Sequence, residues 1–244
     1  MKRFFEKNEL AFCLIFIGSY VFLFSAFDAV SDRIGIPKLI TAVLGCAMAA
    51  FLLIWIVKNG LSKHCGLTGG SFPAKQYLCF LPLLLLVSVN FWGGVSSAPV
   101  TVETGLFVLS MVAVGVLEEL IFRGFLFRYL YRENRKWAIV ISSLTFGFGH
   151  IVSLLNGAEL VPTLLQILYA SAGGFLFTVI FLCSESLIPC IAAHCGLNAL
   201  SIFGGEQSTT LQMASAGALT AVAVLYGVWI LWKERNNGRT DRVL

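Results

Sequence analysis

The chain has 244 residues, 58% hydrophobic and only 12% charged, with a formal net charge of +4. A soluble domain would carry about a quarter charged residues, so the composition excludes one and points to a polytopic, all-α membrane helix bundle forming a single domain over 1–244. No soluble module is present on which the basic excess would make a nucleic-acid face. The seven cysteines, Cys13, Cys46, Cys65, Cys79, Cys183, Cys190 and Cys195, are odd in number and lack paired metal spacing. They read as apolar thiols, with no disulfide framework.

A span needs about 20 mainly apolar residues, and eight stretches approach this: 9–27, 39–57, 77–95, 105–130, 137–156, 162–183, 187–203 and 211–232. The first follows Lys2, Arg3 and Lys7 as a secretory signal would. Its length suits a full span, however, Glu6 and Glu9 interrupt its front, and Ser25-Ala-Phe-Asp-Ala-Val30 is a poor cleavage context. It is read as a retained helix. Between the second and third stretches, Lys58 to Lys75 is a polar loop with a Gly/Ser-rich piece, and its His64 reads as a solvated residue. The seventh stretch is short and follows Ser184-Glu-Ser186.

With the N-terminus inside, alternate loops hold fourteen of the seventeen lysines and arginines, while the opposite loops hold Arg33 and Lys38. The positive-inside rule then makes both termini cytoplasmic. The remaining basic residue, Arg123, falls inside a span.

Three polar clusters interrupt the apolar stretches: Glu118-Glu119-Leu-Ile-Phe-Arg123, Phe146-Gly-Phe-Gly-His150 and His194-Cys-Gly-Leu-Asn198. Carboxylates at bilayer depth are costly and face a partner or a watery cavity. Glu119 and Arg123, four apart, share a helix face and can pair. Glu118 is turned about 100° away and has no partner on its own helix, so it needs a donor from elsewhere, a proton or water. His194 and Asn198 also share one face, either as donors to a developing oxyanion or as interhelical glue. Gly147 and Gly149 before His150 would let another helix or a substrate approach closely; alone, His150 is equally a satisfied core histidine.

Glu118 lies roughly 18 Å from the cytoplasmic end of its helix at 1.5 Å per residue, and the two histidines lie at comparable depth. The clusters are therefore expected to converge on one cavity in the middle or cytoplasmic part of the bilayer. Two chemistries suit the set. In one, Glu118 and His150 activate water and the remaining donors hold a tetrahedral oxyanion. In the other, Glu118, His150 and His194 bind zinc, which activates the water, although the usual His-Glu-x-x-His helix is absent. A transporter or immunity protein with a buried Glu/His set is the alternative outside enzymology; no inverted repeat or pair of broken helices supports transport.

In order and on separate helices, these clusters resemble the motifs of the CPBP family (CAAX proteases and bacteriocin-processing enzymes, also called Abi): Glu-Glu-x-x-x-Arg, Phe-x-x-x-His and His-x-x-x-Asn. Glu118, Glu119 and Arg123 match the first, Phe146 and His150 the second, His194 and Asn198 the third, within a core of about 105–203. The resemblance implies a CAAX prenyl protease-like intramembrane endopeptidase of the cell membrane, acting on a membrane-associated or lipidated peptide. It implies Glu118 and His150 as water activators, His194 and Asn198 as the oxyanion hole, and Glu119, Arg123 and Phe146 as support. No cofactor is required on this picture, and an older view of the family as metalloenzymes keeps zinc open. Prenylated CAAX peptides, leader peptides, bacteriocins and membrane-protein fragments are all open as cargo.

Overall fold

The computed structural model describes residues 1–68, 80–96 and 99–236. Within them the chain forms α1 (Lys2–Lys7), α2 (Glu9–Ile34), α3 (Leu39–Lys58), α4 (Leu83–Ser88), α5 (Val102–Glu119), α6 (Arg128–Glu133), α7 (Arg135–Gly149), α8 (Val152–Leu155), α9 (Leu160–Ser184), α10 (Ile188–Ala199) and α11 (Thr209–Asn236). Six continuous helical runs are long and apolar enough to cross a membrane: α2, α3, Val102–Glu133, Arg135–Leu155, α9 and α11. The expected third and seventh stretches are shorter where described: α4 has six residues, and Ile188–Phe203 is a short apolar helix ending in a 3-10 turn. Cys79 and Lys75 lie outside the described residues.

Local chemistry sets the breaks. α2 stops where Gly35 adopts φ +81, a left-handed cap that a side chain would strain. Thr101 caps α5, its hydroxyl accepting from the Thr104 amide at 3.2 Å. Asn134 separates α6 from α7, its Oδ1 accepting from the Lys136 and Trp137 amides at 3.1 Å each. Between α5 and α6 the run does not break but widens: Leu120–Phe127 is a π-helix, all eight residues buried. Such segments are rare and concentrate at functional sites.

α9 packs between α7 and α11, and α5 between α3 and α10, with α4 resting on α10. Small residues allow the closest crossings. A Cβ on Gly147 would lie 2.0 Å from Ser171 Oγ and 2.7 Å from Ser171 N of α9. One on Gly115 would lie 2.8 Å from Cys195 Sγ of α10. Gly149, expected to serve the same purpose, has nothing within 4 Å of its Cβ position. Large apolar side chains such as Phe22, Phe51, Leu164 and Leu225 point outward, as a lipid-facing surface requires.

The loops sort to two ends. Ser96 N donates to Phe203 O, and Val95 bridges Gly204, joining two of the loops poor in basic residues. At the opposite end Arg128 Nε donates to His64 O at 3.0 Å and Arg132 pairs with Glu9. This end holds most of the described basic residues. His64 is only partly solvated: its side chain is 27% exposed and packs edge-on to Phe5.

Candidate active site

The first motif builds a buried ion pair. Arg123 Nη1 donates to Glu119 Oε1 at 2.9 Å, with both side chains fully buried. The guanidinium also lies 4.2 Å from the centre of the Phe146 ring and 5.7 Å from that of Phe177. This gives the motif phenylalanine its purpose. Phe146 covers the cation on one side and meets the His150 and His194 rings edge-on, at 5.7 and 5.6 Å between centroids. The pairing expected from i,i+4 spacing is present, and a second contact joins it: Glu119 Oε1 also lies 2.8 Å from His194 Nδ1.

Glu118 turns away from the pair, as helix geometry requires, and its carboxylate is held on two sides. Tyr20 of α2 donates its hydroxyl to Glu118 Oε1 at 2.8 Å, across 98 residues of sequence. His194 Nε2 approaches Glu118 Oε2 at 3.3 Å. The imidazole therefore stands between two glutamates, one on each ring nitrogen.

Glu118, Phe146, His150, His194 and Asn198 all line one cavity of about 540 Å³. α5 supplies Glu118, the end of α7 supplies His150, and α10 supplies His194 and Asn198. The tight crossing at Gly115 seats α10 against α5, and that at Gly147 seats α7 against α9. Cys195 falls on another face, its thiol donating to Val112 O at 3.4 Å, and does not line the cavity.

The cavity runs in one direction from these groups. From Glu118 and His194 its wall runs through Tyr169, Gln166 and Pro162 of α9 and Ser215 and Gln212 of α11, to Gly204, Gly205 and Gln207. These last residues belong to the end poor in basic residues; among the described residues, none of the loops around His64 or Arg132 lines it. The cavity thus extends from the middle of the bundle away from the end rich in basic residues. The physical reason is that the basic half is filled: Phe5, Phe12, Trp55 and Phe125 pack there with ring centroids 5.1 to 6.3 Å apart.

Among the described residues no group of three His, Cys, Asp or Glu side chains is disposed to hold a metal ion. The zinc set Glu118, His150 and His194 fits poorly, because both nitrogens of His194 face carboxylates. Tyr20 is the site residue that sequence reasoning missed. The need for a donor to Glu118 from another helix was evident, but nothing marks one tyrosine in an apolar span as that donor.

The fold and the site together define an integral membrane protein that encloses carboxylate and imidazole groups in a cavity within its helical bundle. Residues 100–200 match the family model described as type II CAAX prenyl endopeptidase, Rce1-like. That stretch contains all three motifs, and over it the chain is similar to the CAAX protease family of membrane proteases. No curated protein and no solved structure matches it. Tyr20 and the α11 wall of the cavity lie outside the matched stretch.

Proposed function

We propose that this protein is an endopeptidase of the cell membrane that hydrolyses a peptide bond of a membrane-associated substrate at mid-bilayer depth. One observation carries the reading: Glu118, His150, His194 and Asn198 line a single cavity, with the Glu118 carboxylate anchored by Tyr20 and His194. Water held between Glu118 and His150 gives a proton to Glu118, and the resulting hydroxide attacks the scissile carbonyl carbon. Proton uptake removes the charge on Glu118 that His194 Nε2–H was serving. That N–H then turns to the new oxyanion together with the Asn198 amide. Collapse of the tetrahedral intermediate breaks the C–N bond, and Glu118 returns its proton to the leaving amine. Glu119, Arg123 and Phe146 hold His194 in place. No step is routed through a metal.

The test is cleavage of a membrane-tethered peptide library in liposomes by wild type, Glu118→Gln, His150→Ala and His194→Ala, with and without chelator. Loss of general base catalysis is expected to slow cleavage about 10²- to 10⁴-fold in the Glu118 variant, with its thermal unfolding little changed. Equal cleavage by wild type and Glu118→Gln, or no cleavage at all, defeats the hydrolase reading. Inhibition by chelator reversed by zinc moves the chemistry to a metal.

A further inference from the structure

We infer that the basic end of the bundle holds an anionic phospholipid, its phosphate seated between α1 and the end of α3 and its chains along the outward faces of Phe4 and Ile54. The site is independent of the hydrolase reading above.

The two ends of the bundle differ in charge. Among the described residues the end that carries α1, the His64 loop and α6 has eleven basic and five acidic side chains, whereas the opposite end has two and five. Much of the excess lies at one corner: Lys2, Arg3 and Lys7 of α1, Lys58 closing α3, and Lys63 just beyond it, all exposed. The acids of α1 and of the start of α2 do little to neutralise it. Glu6 stands 4.0 Å from Lys2, with both side chains about half exposed, a pair that contributes little in water. Glu9 is taken by Arg132.

α1 is a preformed ledge. It breaks from α2 at Asn8, whose φ of −142 and ψ of 59 are not helical. Phe5 pins it to the core, buried and edge-on to Phe12, Trp55 and Phe125 at 5.1 to 5.9 Å. Lys2 Nζ donates to Asn59 O at 3.4 Å, which brings α1 beside the end of α3. The cations therefore stand in set places, and less order has to be imposed when a ligand binds. Beside them large apolar side chains face outward: Phe4 is 40% exposed, Ile54 54% and Val57 63%. Ile54 and Lys58 share one face of α3, and Phe4 lies one turn from Lys7 on α1. A phosphate held at Lys2 and Lys58 thus lays an acyl chain along Ile54. Anionic headgroups attract lysine and arginine close to the membrane surface, and a short helix of cations with an outward aromatic ring suits the headgroup layer. An acidic soluble protein would meet the cations and leave Ile54 and Val57, inside the span of α3, uncovered.

The experiment equilibrates the full chain in mixed micelles with equal amounts of phosphatidylglycerol and phosphatidylcholine, and native mass spectrometry counts the lipids it keeps. Phosphatidylglycerol is expected to be kept in preference by about fivefold for each cation it engages. The preference should fade at about 1 M ammonium acetate, where charges are screened beyond roughly 3 Å. Lys2→Gln with Arg3→Gln and Lys7→Gln should lower it by about fivefold or more. Lys2→Arg with Lys7→Arg should keep it, and Arg33→Gln, at the opposite end, should leave it unchanged. Wild type alone decides if the triple variant does not fold: equal retention of the two lipids, or a preference that salt does not weaken, overturns the inference. An unchanged preference in a triple variant with a normal melting curve overturns it too. Displacement of the lipid by soluble polyglutamate would assign the corner to an acidic protein and reject the phospholipid.

Discussion

The two halves of the bundle are built on opposite principles. The basic half is filled with stacked and edge-on rings around Phe12, Trp55 and Phe125, and its charges are tied to the backbone or to one another, as in Arg128 to His64 O and Arg132 to Glu9. The other half leaves a cavity of about 540 Å³ walled by amides, hydroxyls and aliphatic groups, with Glu118 at its base. At the level where they meet lies the layer formed by Glu119, Arg123, His194 and Phe146. The contrast teaches that a packed half and a hollow half are kept apart by a thin, buried polar layer. Substitutions should therefore divide by the half they touch.

The largest effect is expected in the layer itself. Arg123→Met leaves the Glu119 carboxylate buried without its cation, which should cost about 3–5 kcal/mol of stability; thermal unfolding in detergent measures it. An unchanged melting temperature would show that the layer is not structural. Next comes the open half. Tyr20→Phe removes one oxygen and a hydrogen bond to a charged group worth about 1.5–3 kcal/mol. On the proposed mechanism this appears as a fall in kcat of about tenfold or more with KM unchanged. The same substitution should cost nothing further in a Glu118→Gln background; an additive loss would mean that Tyr20 acts through packing.

A smaller effect separates two neighbouring glycines. Gly147→Ala drives a methyl into Ser171 of α9, with contacts of 2.0 and 2.7 Å, and should destabilise by about 1–3 kcal/mol. Gly149→Ala meets open space and should be neutral or slightly stabilising. Comparable melting curves for the two would discard the close crossing. The smallest effect lies at the basic end. Burial, aided by Arg128 and Arg132, lowers His64 from 6.5 to about 4. Glu9, 3.8 Å away, is already taken by Arg132 and does not offset this. A histidine held neutral in the fold contributes stability above its unfolded value, and loses it as pH falls from about 6.5 towards 4. His64→Gln should flatten the melting temperature over that window relative to wild type, with carboxylate contributions common to both.

Much of the site was legible because its logic is local. Four-residue spacing paired Glu119 with Arg123 and put His194 and Asn198 on one face, and buried charge in a span marked where to look. The all-α membrane bundle followed from composition. The illegible parts depend on contacts distant in sequence or on fine packing. Tyr20 reaches Glu118 from a helix whose other residues give no hint of it. His194 bridges two glutamates because α10 crosses α5 at Gly115, a distance that no spacing rule supplies. Gly147 and Gly149 look alike in sequence, yet only one faces α9. Nor does any proline or repeat announce the π segment.

That segment has a consequence for how the chain tolerates length changes. Its i→i+5 pattern takes up roughly one more residue per turn than the regular helix on either side. Removing one residue between 120 and 127 would let an ordinary helix close in its place, with Glu118 and Glu119 keeping nearly their orientation relative to the arginines beyond. The same deletion in the regular helix on either side has no such slack and would turn one half by about 100° against the other, the cavity out of phase with the basic rim.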